Sequence, residues 1–191
     1  MLTEKGWDSN VPPMPVVIAY HCIVLVNATT VMVIGGYQRY EDSGKTFYFN
    51  KEQQSWTEGP ELTYKRSFLS CGRIRKNKDS QEMSIIAVGG FIGGLSISST
   101  EILDAGSNEW RNGPQLPLSI GASQLVEDQQ GRVVLVGGGT VVNGTNVILD
   151  TLYYLSDGGV GSMWTKMDQK LKIGRYFHSA FLVHDNITNC S

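Results

Sequence analysis

Ala, Leu, Glu and Lys never gather into a stripe of helical period anywhere in these 191 residues, so amphipathic helices are not expected. Charge of one sign is equally scarce. Against 16 Lys and Arg stand 18 Asp and Glu, a net charge of −2, which leaves no electrostatic footprint for nucleic acid or an anionic membrane. No apolar run reaches the roughly 20 residues of a membrane span. The longest, VVIAYHCIVLV from Val16 to Val26, follows a proline-rich segment without net positive charge, unlike a secretory signal, and reads as strand. With only three cysteines, an odd number, no disulfide framework is evident. Catalytic signatures are missing as well: there is no GxSxG, no HExxH and no defensible pair of carboxylates, so catalysis is not expected and no cofactor is implied.

What the chain does have is glycine, 22 residues of it, within a composition that is 41% hydrophobic. That balance suits many short strands joined by tight turns, an all-β protein. The stretch SIIAVGGFIGG, Ser84 to Gly94, raises the question of a phosphate loop. Such a loop opens a helix, whose N-terminal amides hold the anion. Here the continuation, LSISSTEILDAGSNEW, reads as a strand and a turn, and the glycine pair reads as structural.

The same pattern recurs. Trp7, Trp56, Trp110 and Trp164 stand about every fifty residues, a period typical of repeat architectures. Each of the first three is followed by a Pro-containing turn, an apolar strand, and a second strand ending in glycines: VMVIGG, SIIAVGG and VVLVGGG. From these runs the pairs Gly35–Gly36, Gly89–Gly90 and Gly138–Gly139 are taken as blade turns, with Trp56, Trp110 and Trp164 as anchors between units. After the tryptophan, WTEGPEL and WRNGPQL match in Gly, Pro and Leu. Each unit is therefore four short strands.

This order, with GRYFHSAFLV and STEILDAGSNEW nearest to the pattern, resembles the kelch repeat, although Ser67 and Gly121 stand roughly where that family often has arginine. The resemblance implies a kelch-type β-propeller, and four-stranded units that must bury a face on each side point the same way. Blades are expected at about 16–58, 66–112 and 118–166, with an outer strand of a preceding blade at 5–9 and the first strand of another at 175–184. Three blades do not close a ring. The sequence thus reads as an incomplete propeller, a piece of a longer protein or a half that self-associates through its open flanks.

In kelch-type proteins the loops after the second and fourth strands of each blade commonly bind a partner. The matching segments are YQRYEDSG, TYKRS, FIGGLS, TVVNGTN and KIGRYFH. Within them Arg39, Tyr40, Tyr64, Arg66, Arg175 and Tyr176 are the candidate partner-binding residues, because Arg and Tyr dominate binding hot spots. His21 and His178 fall on innermost strands three blades apart, too far to share a metal at about 2 Å, and no metal site is expected. Cys22 and Cys71 lie at the same offset after a tryptophan. Equivalent positions of adjacent blades are expected to be further apart than the roughly 4.4–6.8 Å between Cα atoms that a disulfide allows, so both read as small buried residues. The basic run RIRKNKDS, Arg73 to Ser80, reads as a solvated hairpin on the opposite face.

Asn27, Asn143, Asn186 and Asn189 begin N-x-[ST] sequons, glycan acceptors that tilt the compartment toward the extracellular side, with any signal segment upstream. The resulting expectation is a non-catalytic kelch-repeat module that binds a protein ligand through one propeller face. Two alternatives implied by the resemblance are the substrate-recognition propeller of a BTB-kelch ubiquitin-ligase adaptor or an actin-binding kelch protein, and part of a kelch-fold copper oxidase.

Overall fold

The computed structural model describes residues 2–3, 6–7, 11–142 and 144–183. Every regular element among them is a strand. A short hairpin, β1 (Leu2–Thr3) with β2 (Gly6–Trp7), comes first; of the expected strand at 5–9, only Gly6–Trp7 is described in this way. Blade one follows as β3 (Cys22–Asn27), β4 (Thr30–Ile34), the small hairpin β5 (Tyr37–Gln38) and β6 (Glu41–Asp42), then β7 (Thr46–Asn50) and β8 (Ser55–Glu58). Blade two repeats the plan with β9 (Ser70–Arg75), β10 (Met83–Val88), the hairpin β11 (Phe91–Ile92) and β12 (Leu95–Ser96), β13 (Thr100–Leu103) and β14 (Arg111–Asn112). Blade three has β15 (Gln124–Glu127), β16 (Val133–Val136), the hairpin β17 (Gly139–Val142) and β18 (Thr145–Ile148), β19 (Thr151–Leu155) and β20 (Thr165–Lys170). In each blade the four long strands form one antiparallel sheet in sequence order, with the small hairpin as a separate two-stranded sheet.

Burial explains the strand sequences. The second strands, TVMVI, MSIIAV and VVLV, are almost uniformly apolar, and the last two are buried nearly throughout. A strand covered on both faces has no reason to alternate. The outermost strands SWTE and TKMDQK are polar and largely exposed.

Two cores lie between blades. One joins Cys22, Val24, Met32 and Ile34 of blade one to Leu69, Cys71, Ile85, Ala87 and Trp110 of blade two. The other joins Ile74, Ile86, Val88 and Ile102 of blade two to Leu125, Leu135, Leu155 and Trp164. Side chains alternate between sheet faces with period two, so blades one and two turn even-numbered inner-strand residues to the next blade, and blades two and three turn odd-numbered ones to the blade before.

The tryptophan and G-P-x-L motifs interlock at these cores. Trp110 Nε1 donates to the carbonyl of Pro60 at 2.8 Å, which also accepts from Thr46 Oγ1 at 2.9 Å. Trp164 Nε1 donates to Pro114 at 3.0 Å, which accepts from Thr100 Oγ1 at 2.7 Å. One carbonyl thereby ties two blades together. Trp56 reaches Pro12 in the same way at 3.1 Å. A Cβ on Gly59 or Gly113 would sit 2.5 Å from the threonine hydroxyl, which is why proline is preceded by glycine. Leu62 and Leu116, which end the motif, are buried in the two cores.

Three expectations need correction. Cys22 and Cys71 form a disulfide, with Cα atoms 5.9 Å apart. Strand register shows why: Cys22 pairs with Ile34 and Ser70 with Val88, so the counterpart of Cys22 is Ser70 and Cys71 lies one position on. One step turns a side chain to the opposite face. Cys22 and Cys71 therefore point toward each other across the interface, which two equivalent residues could not do.

The third glycine pair is Gly137–Gly138, with φ of 58° and 105°, matching 60° and 110° at Gly35–Gly36 and 55° and 103° at Gly89–Gly90. Gly139 belongs to β17. The pair needs glycine for two reasons: positive φ, and a Cβ on Gly89 would collide with the carbonyl of Ile120. The second glycine of each pair donates to the entry of the next unit, at Arg66, Ile120 and Arg175.

Finally, the described part of the expected strand 175–184, residues 175–183, forms no strand. It is nevertheless docked, because Arg175 accepts from Gly138 and Phe177 donates to Ala122.

Candidate functional site

The small hairpins and the entry segments of the blades converge on one face. Bridges Ala19 to Tyr37, Ser67 to Phe91 and Gly121 to Gly139 join each entry segment to the hairpin of its own blade. At the next residue inward runs a hydrogen-bonded arc: Phe68 N–H to the Tyr20 carbonyl at 2.8 Å, Ala122 to Phe68 at 2.9 Å, and Phe177 to Ala122 at 2.9 Å. All four residues have positive φ, between 51° and 56°, a conformation that non-glycine residues adopt only when their surroundings enforce it. These are the same position in four successive units.

Three of the four are aromatic, and their rings make a floor. Tyr20 stacks on Phe68 with centroids 3.9 Å apart. Phe68 meets Phe177 at 5.0 Å and Phe91 edge-on at 5.9 Å. Tyr176 packs on Phe177 at 4.6 Å. The hollow above, about 580 Å³, is lined by Tyr20, Tyr37, Tyr40, Phe68, Phe91 and Phe177, with Glu41, Asp42 and Gly93 at its edge.

The tip of the blade-one hairpin is strained. Arg39 and Tyr40 have φ of 49° and 68°, the two consecutive left-handed residues that a tight hairpin turn of this kind demands. In blade two those positions are Gly93 and Gly94, at 57° and 81°, and the sequence at the third hairpin tip is Asn143–Gly144. Blade one alone spends bulky side chains there, and the outcome is Tyr40 at 92% exposure. Asp42 braces the hairpin by accepting from Gly93 N–H at 2.7 Å.

Arg66 proves to be interior. Its side chain and that of Glu101 are both 0% exposed, with Nη2 and Oε2 2.7 Å apart. Its other donors go to the carbonyls of Tyr64, Gly89 and Ser99 and to Ser99 Oγ, so all five N–H groups are used. Burial lowers its pKa and Glu101 opposes that shift. A guanidinium committed in this way cannot reach a partner. Its network does fix the face, because Glu101 also accepts from Thr63 and Tyr64 N–H.

Of the other candidates, Tyr64 and Tyr176 are partly exposed on this face, and Arg39 and Arg175 are exposed. Arg175 occupies the place of Arg66 in the fourth unit, its Nε at 3.4 Å from the Ile173 carbonyl as Arg66 Nε is 3.2 Å from that of Tyr64. His21 and His178 share one unit position, filled by Leu69 and Ser123 in between. Burial lowers the pKa of both, with Arg175 adding to the effect on His178. Among the described residues no group of three or more His, Cys, Asp or Glu is placed to hold a metal ion. Asn27 is exposed at the β3–β4 turn, away from the candidate face, with its Oδ1 accepting from Thr29 N–H at 2.9 Å. Asn143, Asn186, Asn189, His184 and Cys190 lie outside the described residues.

A family model described as the kelch motif matches residues 84–117. Those residues hold β10, the pair Gly89–Gly90, β13, Glu101, Trp110 and the Gly113–Pro114–x–Leu116 turn. Blade two is a kelch repeat. Blades one and three share its sheet order, glycine pair and Trp–Pro link, an arrangement consistent with a partial kelch-type propeller. No curated protein matches the chain significantly. Among the described residues no helix is long and apolar enough to cross a membrane.

The kelch frame also shows which face residues a hot-spot rule passes over. Tyr20, Phe68, Phe91 and Phe177 form the floor, while Glu41 and Asp42 set its charge. The signal was present as AYHC, SFLS and YFHS, each with an aromatic residue at the same entry position.

Proposed function

We propose that this chain is a non-catalytic recognition module that binds a partner protein through the face carrying the blade hairpins and entry segments. The carrying observation is the pair Arg39–Tyr40: two non-glycine residues held at positive φ, where glycine serves in blade two. Backbone strain of this kind costs of order 1–3 kcal/mol per residue and persists where a side chain must be presented. Here it holds Tyr40 over an aromatic hollow, the residue type and setting of a binding hot spot. The Cys22–Cys71 disulfide favours an oxidising compartment over the intracellular adaptor alternative. A glycan at Asn27 would leave the binding face clear.

The test is selection of a displayed random-peptide library on the whole chain, with recovered peptides measured again on Tyr40→Ser and on Lys78→Ala, a change in the hairpin of the opposite face. Binders weakened about tenfold or more, ~1.4 kcal/mol, by Tyr40→Ser and untouched by Lys78→Ala support the reading. Binders that depend on Lys78 and ignore Tyr40 overturn it.

A further inference from the structure

We infer that the aromatic hollow takes a basic side chain, arginine foremost, presented by an exposed segment of the partner protein. The inference rests on the recognition reading and deepens it. Six rings line the hollow, and among the described residues the charged groups of its lining are Glu41 and Asp42, with no lysine or arginine. Neither carboxylate has an ion-pair partner among the described residues. Arg39, Lys45 and Lys65 line another hollow, which Glu41 and Asp42 also border, but none of the three reaches either carboxylate as an ion pair.

An apolar or acidic occupant would strip water from two carboxylates and return nothing to them. A guanidinium satisfies both parts of the site. Its flat face stacks on aromatic rings, and its fork of donors fits a carboxylate. Electrostatics thus select a cation, and shape selects its carrier. The hollow of about 580 Å³ shares Phe91, Gly94 and Phe177 with a second one of about 450 Å³, bordered by Thr140, Val141, Val147 and Tyr176. Two joined depressions suit an extended polypeptide that places one side chain in the first and its neighbours along the second, whereas a small ammonium ion would fill a fraction of either.

The experiment uses the whole chain and three probes: the labelled peptide Gly-Ser-Arg-Ser-Gly, its counterpart with Glu for Arg, and tetramethylammonium as competitor. Each is measured on the unmodified protein, on Glu41→Gln and on Tyr40→Ser, with circular dichroism confirming that both variants keep their β structure. The expected result is binding of the Arg peptide, weakened about tenfold or more by either substitution and reduced by salt, with no binding of the Glu peptide. Equal affinity for both peptides, absence of binding by the Arg peptide, or indifference to Glu41→Gln overturns the inference. Tetramethylammonium binding more tightly than the Arg peptide overturns the polypeptide carrier and assigns the hollow to a small ammonium compound. Library-selected peptides that depend on Tyr40 but lack basic residues would remove the cation and leave the recognition face standing; a library that yields no Tyr40-dependent peptide would remove both.

Discussion

Arg66 and Glu101 meet at 2.7 Å with neither side chain touching solvent, joining the entry segment of blade two to its third strand. Thirty-five residues separate them in sequence. The pair receives enough hydrogen bonds to be fully satisfied, and removing one member leaves the other as a lone buried charge.

Arg66→Met is therefore expected to destabilise the chain by about 3–5 kcal/mol. The double substitution Arg66→Met/Glu101→Met should recover a large part of that loss, because both charges then leave together. Urea unfolding of the single and double variants checks this. A single variant as stable as the parent would mean that the pair does not hold the fold.

Removing the disulfide has a separate expected effect. Cys22 and Cys71 close a loop of sequence separation 49, for which the chain-entropy estimate is about 4 kcal/mol. Cys22→Ala/Cys71→Ala should lose stability of that order in urea. Thiol titration of the unfolded, unreduced protein should find only Cys190 reactive. Three reactive thiols would contradict the bond.

Relaxing the strained hairpin tip should separate stability from recognition. Replacing Arg39–Tyr40 with Asn–Gly, the pair best suited to two left-handed positions, is expected to stabilise the chain by about 1–3 kcal/mol and to abolish binding of peptides selected on the parent. Loss of stability would show that the two side chains are held for packing instead.

Acid should weaken the fold through its histidines. His21 and His178 titrate below the ordinary value of 6.5, chiefly because burial penalises the imidazolium, and His21 Nδ1 and both His178 ring nitrogens are buried without partners among the described residues. Below about pH 6.5 the unfolded chain takes up protons that the folded chain refuses, so their contribution is full above that pH and falls as pH drops through it. The urea midpoint should be lower at pH 5 than at pH 7.5, and His178→Gln should flatten the slope. A midpoint that rises on acidification contradicts the assignment.

The blade plan was legible in the sequence because its carriers are bulky or rigid: tryptophan about every fifty residues, glycine pairs, and Gly-Pro. What slipped was register. From tryptophan to the arc residue the path is one residue shorter for Phe68 and Ala122 than for Tyr20 and Phe177, and in a strand one residue exchanges the two faces. That single step hid the disulfide, and the run of three glycines displaced the third pair. Arg66 was misplaced for a different reason. Composition favours arginine at hot spots, but its carboxylate lies on a distant strand, and only packing shows that the charge is consumed inside. The loops that form the face could be named in advance. The aromatic residues of the floor recur at one entry position in the sequence, but that their rings adjoin shows only once the units stand side by side.

The backbone arc from Tyr20 through Phe68 and Ala122 to Phe177 divides labour within the molecule. Its links are main-chain groups, indifferent to the side chains they carry, and the occupants already range from tyrosine to alanine. Spacing at the mouth is thus inherited from the scaffold, while the chemistry displayed there is free to vary. A lineage built on such a frame could vary the side chains around its mouth while the distance between neighbouring units stays fixed.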